Sequence, residues 1–283
     1  MKRIILFGLV GILGLVYGNW TRMNTLLVGD YVDDPVNVGI YPQHLNVFPN
    51  IFYGDIFATK TDYAILIRPI EKYGGIGIWQ DKNFNIGYGI GVKKIEFGIF
   101  GSPVKDHNRL GIGIGYSNFD TRIDFSGIIN DEKNVNEGYD FHLRFLKRKA
   151  EYVLIPRYAL NIQNKPYDYQ SHTLGFALQR LILNEGFVIL GMEYLLREGD
   201  IDVDRAYCFA GFELPLNKTS CLRMGAREEF DEDFTIIAYQ IQPGICLKIR
   251  EFNLDFHLNQ SRLFDKDLTF VSSFGLDLNF GRF

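Results

Sequence analysis

The sequence is short of cysteine, methionine and net charge, and it has no long apolar run beyond its first sixteen residues. Its three cysteines, Cys208, Cys221 and Cys246, are odd in number and lie in strand-like segments, so they make no disulfide framework and read as packed thiols. A formal charge of −4 on 283 residues excludes a nucleic-acid partner. The longest later apolar stretches, such as "YAILI" (63–67) and "FVILGM" (187–192), are far below the roughly 20 residues a membrane helix needs. No 3.6-residue periodicity appears between positions 50 and 283. G-x-S-x-G, H-E-x-x-H and C-x-x-C are all missing, so no catalytic residue, cofactor or metal ligand is assigned and the chain reads as a non-enzyme.

What is present begins with a leader. "MKR" is a basic n-region, residues 4–16 are apolar, and Val16 and Gly18 stand at the −3 and −1 positions of a cleavage site. Residues 1–18 are therefore expected to be a secretory signal peptide. Losing Lys2 and Arg3 leaves 28 basic and 34 acidic residues, a charge of −6.

From about residue 50 the apolar positions alternate with period two. "FNIGYGIGV" (84–92), "RLGIGIGYS" (109–117), "YDFHLRF" (139–145), "TLGFALQ" (173–179) and "FNLDFHL" (252–258) each set large apolar residues against Asp, His, Arg, Gln or bare glycine. Polar turn signals such as "NDEKNVNE" (130–137), "REGDID" (197–202) and "FDED" (230–233) bracket segments longer than ordinary globular strands. An exported chain with long, aromatic-rich apolar faces predicts a transmembrane antiparallel β-barrel of about fourteen strands, with twelve to sixteen allowed. Lipid then meets the apolar face, and the strands must close because a bilayer offers no water to unpaired backbone groups. The expected location is the outer membrane of a Gram-negative-type envelope.

A barrel of that size has an interior too wide for wall side chains alone. Residues 19–49 precede the regular strands and are predicted to be a lumen plug or a periplasmic segment, with the barrel over 50–283. The glycines of "GYGIGV" and "GIGIGY" fall on one strand face with no helix after them, so they mark space for another segment against the wall rather than a nucleotide loop.

Parity places Asp140, His142, Arg144, Arg157, Glu193, Arg223, Arg227, Lys248, Asp255 and His257 on the lumen face. They are either a charge-selective pore lining or interior ion pairs and contacts to the plug. Asp140 with His142, and Asp255 with His257, are neighbours on one strand side and read as hydrogen-bonding pairs rather than catalytic dyads.

The stretch "GDYVDDPVNVGIYPQHLNVFPNIFYGDI" (29–56) resembles the N-terminal signature of the long-chain fatty-acid transporter-like outer-membrane barrels, a group that includes the PorV-type proteins. Asp33, Asp34 and Pro35 match its acidic "DDP", and Tyr41-Pro42-Gln43 stands where members carry "NPA". The resemblance implies about fourteen strands, an N-terminal plug and a hydrophobic solute; it carries over no ligand-binding residue. The terminal aromatic, Phe283, is similar to the assembly signal of such barrels. The expected function is passive passage or binding of a small solute, polar or hydrophobic, with outer-membrane lipid as the surrounding partner. The alternative is a non-conducting structural barrel or secretion partner bound to another envelope protein, and a third reading is a hydrolase at the barrel rim.

Overall fold

A computed structural model describes residues 20–48, 50–57, 61–81, 83–104, 107–132, 136–182, 186–263 and 267–280. The expected leader and Phe283 lie outside these residues. The alternating segments fold as strands β1 (Ile51–Phe57), β2 (Thr61–Ile67), β3 (Gly75–Gln80), β4 (Phe84–Val92), β5 (Ile95–Gly101), β6 (His107–Ser117), β7 (Thr121–Glu132) and β8 (Asn136–Lys149). They continue as β9 (Tyr152–Lys165), β10 (Tyr169–Ile182), β11 (Gly186–Gly199), β12 (Val203–Pro215), β13 (Ser220–Phe230), β14 (Ile236–Ile249), β15 (Phe252–Leu258) and β16 (Val271–Asn279). Each pairs antiparallel with its sequence neighbour, and β1 pairs with β16, from Ile51 opposite Asn279 to Phe57 opposite Ser273, so the sheet closes.

The strand number is sixteen, which corrects the expectation of about fourteen. The miscount falls in residues 51–101, where β1 to β5 have only six to nine residues each. In β3 to β5 glycine takes the place of polar side chains on the inner face, and a glycine gives little contrast to a period-two pattern. Pro69 and Pro103, which interrupt the pattern, lie between strands.

The wall is uneven in height. At about 3.3 Å per residue, the fourteen-residue strands β8 to β11 run to about 46 Å, while the six residues of β3 reach about 20 Å. Burial is inverted relative to a soluble protein. Ile112, Leu190 and Met192 on the outside are 57%, 58% and 60% exposed, while Asp124 and Arg144 on the inside are fully buried. Such an apolar belt needs hydrocarbon around it. Among the described residues no helix is long and apolar enough to cross a membrane, so the crossing is made by strands.

Residues 20–48 form helix α1 (Trp20–Leu26) and three short 3-10 turns, Gly29–Tyr31, Pro35–Gly39 and Pro42–Asn46. Proline opens two of these turns, its missing N–H falling where no intrahelical partner exists. Asp34 caps the middle one by accepting from the Val36 N–H at 3.1 Å. Leu26, Val28, Tyr31, Val38, Leu45 and Phe48 of this segment pack with Trp79, Phe100, Ile155, Ile189 and Phe209 of the wall, so the hydrophobic core lies inside the ring of strands.

Candidate functional site: the lumen and its N-terminal segment

Alternation puts a charged side chain on the inner face of most tall strands, and the N-terminal segment supplies the opposite charges. Arg144 on β8 is the most connected. Its Nη2 lies 2.7 Å from Asp124 on β7 and 2.6 Å from Asp33 of the segment, and its Nη1 donates to the Asp30 carbonyl at 2.7 Å. The guanidinium also stacks 4.8 Å over the Tyr41 ring. Arg157 on β9 pairs with Asp30 at 2.9 Å and with Glu193 on β11 at 2.5 Å, and Arg227 on β13 meets the same glutamate at 3.0 Å. Arg223 on β13 binds Glu213 on β12 at 2.6 Å and contacts Asp255 on β15. Arg22 of α1 completes this group, 2.9 Å from Glu213 and 2.5 Å from Asp34.

Two further attachments are neutral or aromatic in part. Asp55 on β1 accepts the backbone N–H groups of Trp20 and Thr21 at 2.9 and 2.8 Å. His44 and Gln43 each reach Asp124 at 3.1 Å, and Arg122 holds the same carboxylate at 3.0 Å. Burial pushes the His44 imidazole below its ordinary pKa, with Asp124 opposing, while the nearby arginines favour the neutral ring. For Asp30, burial works to raise the pKa, but Arg157 and its other neighbours hold the carboxyl below the usual range.

Six of the ten predicted inward residues, Arg144, Arg157, Glu193, Arg223, Arg227 and Asp255, therefore sit in ion-pair networks that reach the segment directly or through one or two neighbours. Asp140 lies apart, accepting from Asn130 at 2.7 Å and from Asn161. His142 stands edge-on to Tyr41 at 6.2 Å. Lys248 lies beside the 250–251 turn, its backbone N–H donating to Thr219 at 2.7 Å, and the His257 carbonyl accepts from Ser272 at 3.2 Å. The two Asp–His pairs are not the organising contacts: asparagines take up Asp140, and Arg223 contacts Asp255.

Sequence reasoning missed Arg22, Asp30, His44, Asp55, Asp124 and Glu213. For the wall residues a signal existed, since Asp124 lies between the outward Ile123 and Phe125. For the segment residues none did, because irregular backbone has no period. Asp33, His44 and Asp124 bring two carboxylates and an imidazole within 4.8 Å of one another. Arg122 and Arg144 already bind the Asp124 carboxylate, so a cation there would face two guanidinium groups.

The segment also touches the wall where side chains are missing. A Cβ added to Gly98 would lie 2.1 Å from the Gln43 nitrogen and the Pro42 carbonyl carbon, and one on Gly89 would lie 2.8 Å from Leu45 Cβ. On the other side, a Cβ on Gly225 would lie 2.3 Å from the Leu26 carbonyl oxygen. The alternating glycines of β4 to β6 are thus the surface against which residues 42–46 rest.

Above the segment, towards the mouth opposite the ends of β1 and β16 that lead to the termini, lies a cavity of about 740 Å³. Its floor is Val36, Gly39 and Ile40, with Trp20 and Asn24 at one side. Among the described lining residues, its walls carry Asp62, Asp81, Asp131, Glu132 and Asp140 against one cation, Arg109. Arg109 is engaged with Asp81 at 2.9 Å and with the Gly39 carbonyl at 3.0 Å. Side-chain amides from Asn83, Asn108, Asn130, Asn161 and Gln163 fill the spaces between the acids, and Tyr169 faces in.

No protein-family model matches the sequence, and no curated protein matches it either. Solved structures match by shape. The chain is similar to a bacterial polysaccharide outer membrane secretin, with a TM-score of 0.54 and 10% identity over 82% of this chain and 97% of that one. OmpT, an outer membrane protein of Vibrio cholerae in its trimer form, aligns at 0.49 and 8% identity over 81% of this chain and 95% of its own. The fold is that of bacterial outer-membrane β-barrels. At 10% identity the secretin shows the fold alone, and the exposed apolar belt agrees with an outer-membrane location.

Proposed function

We propose that the barrel binds and passes a small polar solute, neutral or cationic, and that residues 20–48 act as its lumen plug. The observation that carries this reading is the acid- and amide-rich vestibule lying directly on a segment anchored by buried ion pairs. Among the described lining residues carboxylates outnumber cations, a lining that repels anions and attracts cations. Amide side chains between them present both donors and acceptors, as a hydroxylated solute requires. This lining speaks against the hydrophobic solute implied by the fatty-acid transporter resemblance of residues 29–56. Within the stretch that carries the resemblance, Asp33 and Asp34 of "DDP" hold Arg144 and Arg22.

A second reading has its own support. Anchors from β1, β7, β8, β9 and β12 fix the segment on several sides, which suits a barrel that stays shut and serves a structural or secretion-partner role. Planar-bilayer recording separates the two. The solute-passing reading expects small, cation-selective currents under a KCl gradient, rising when Arg144→Met weakens the anchor. Silence from the folded wild type and from that variant, with any salt, would leave the non-conducting barrel.

A further inference from the structure

We propose that Cys221 and Cys246 are joined by a cross-strand disulfide in the exported protein. The two residues are directly opposed in the β13–β14 register. The Lys248 N–H bond to the Thr219 carbonyl, two residues away on each strand, makes this a hydrogen-bonded pair, with Cα atoms roughly 5.5 Å apart, inside the roughly 4.4–6.8 Å range of disulfides. Both side chains point inward with Arg223, and they are 1% and 0% exposed. In the structure both are free thiols. The third cysteine differs on each count: Cys208 is opposite Met192 on β11 and Glu228 on β13, faces outward and is exposed. An odd cysteine number thus resolves into one facing pair and one single thiol.

The surroundings suit a fixed bond. Cys221 is flanked on its other side by Pro215 of β12, and Cys246 by Asp255 of β15. Further along these strands, Gly225, four residues from Cys221, and Gly244, two from Cys246, receive the Leu26 carbonyl and the Thr25 side chain of α1. The disulfide would join the two strands that carry the helix end of the N-terminal segment. Folding removes both thiols from solvent, so the bond forms while the chain crosses the periplasm unfolded. One chain thiolate attacks the disulfide of an envelope thiol oxidase and forms a mixed disulfide. The second chain thiolate displaces the oxidase, which leaves as a dithiol carrying the two electrons and two protons.

The test uses full-length protein extracted from outer membranes without reductant, denatured in the presence of an alkylating agent, and digested for mass spectrometry. The expected result is a linked pair of peptides containing Cys221 and Cys246, two mass units below the sum of the thiol forms, with Cys208 alkylated. Reduction before alkylation should convert the linked pair into two alkylated peptides. The Cys208→Ser variant, altered only at the outward thiol, should give the same linked pair. Alkylation of Cys221 and Cys246 without prior reduction would overturn the proposal, and so would linkage of either one to Cys208.

Discussion

Replacing Gly98 by alanine puts a methyl group onto the backbone of residues 42 and 43. The added carbon would lie 2.1 Å from the Gln43 nitrogen and the Pro42 carbonyl carbon, where ordinary contact begins at 3.4 Å, so the segment must retreat by about 1.3 Å. Neither atom is the end of a flexible side chain, and the turn Pro42–Asn46 moves as a unit. A retreat of that size stretches the 3.1 Å bonds from Gln43 and His44 to Asp124 beyond hydrogen-bonding distance. Overpacking costs about 1–3 kcal/mol, and a lost bond to a charged group adds about 1.5–3 kcal/mol. Since about 1.4 kcal/mol is tenfold in an equilibrium, the displaced state gains at least several-fold in population. Two measurements read this: the heat-unfolding midpoint in detergent, which should fall, and the time-averaged current in planar bilayers, which should rise. Gly101→Ala on the same strand is the control, because its nearest neighbour would be the Arg109 carbonyl at 3.7 Å. If Gly98→Ala matched the wild type in both measurements, residues 42–46 would not occupy the glycine face, and the close-approach reasoning would fail.

Other outcomes follow from the same contacts. Arg144→Met strips a fully buried guanidinium from Asp33 and Asp124 and should cost about 3–5 kcal/mol. In the Arg144→Met background, Asp124→Asn should cost less than it does alone, and a double-mutant cycle from unfolding midpoints showing simple additivity would refute the pairing. His44 is held neutral by burial among Asp124, Arg122 and Arg144. Unfolding lets it take up a proton, so stability should decline as pH falls through the ordinary imidazole value of about 6.5. His44→Gln should flatten that part of a midpoint-against-pH curve, and an unchanged slope would assign the decline to other groups. Neutralising a vestibule acid with Asp131→Asn should shift the reversal potential in a KCl gradient towards zero, with a change in unfolding free energy of no more than about 0.5 kcal/mol, as at a surface site. Unaltered selectivity would remove that acid from the path of the ions.

Much of the wall was legible because a strand's side chains have period two and a membrane keeps one face uniformly apolar. The tall strands, from "RLGIGIGYS" to "YQSHTLGFALQRLI", advertise themselves in this way. The short strands β1 to β3 did so poorly, having only six or seven residues each, and β3 adds bare glycine on its inner face. Parity alone also drew attention to Arg144, Arg157 and Arg223, yet it could not name their partners. Arg22 and Arg223 converge on Glu213 across 191 and 10 residues of chain, and no local pattern encodes such separations.

The sequence by itself determined that this chain would build a closed antiparallel wall with oil outside and charge inside, because alternation fixes the two faces of every strand before any strand finds its neighbour. Only the tertiary structure decided the strand number, the placement of Cys221 opposite Cys246, and which acid of the N-terminal segment meets which arginine of the wall. Those depend on register and on the path of an irregular segment through the barrel, and both are set by long-range contacts that residue order along the chain does not display.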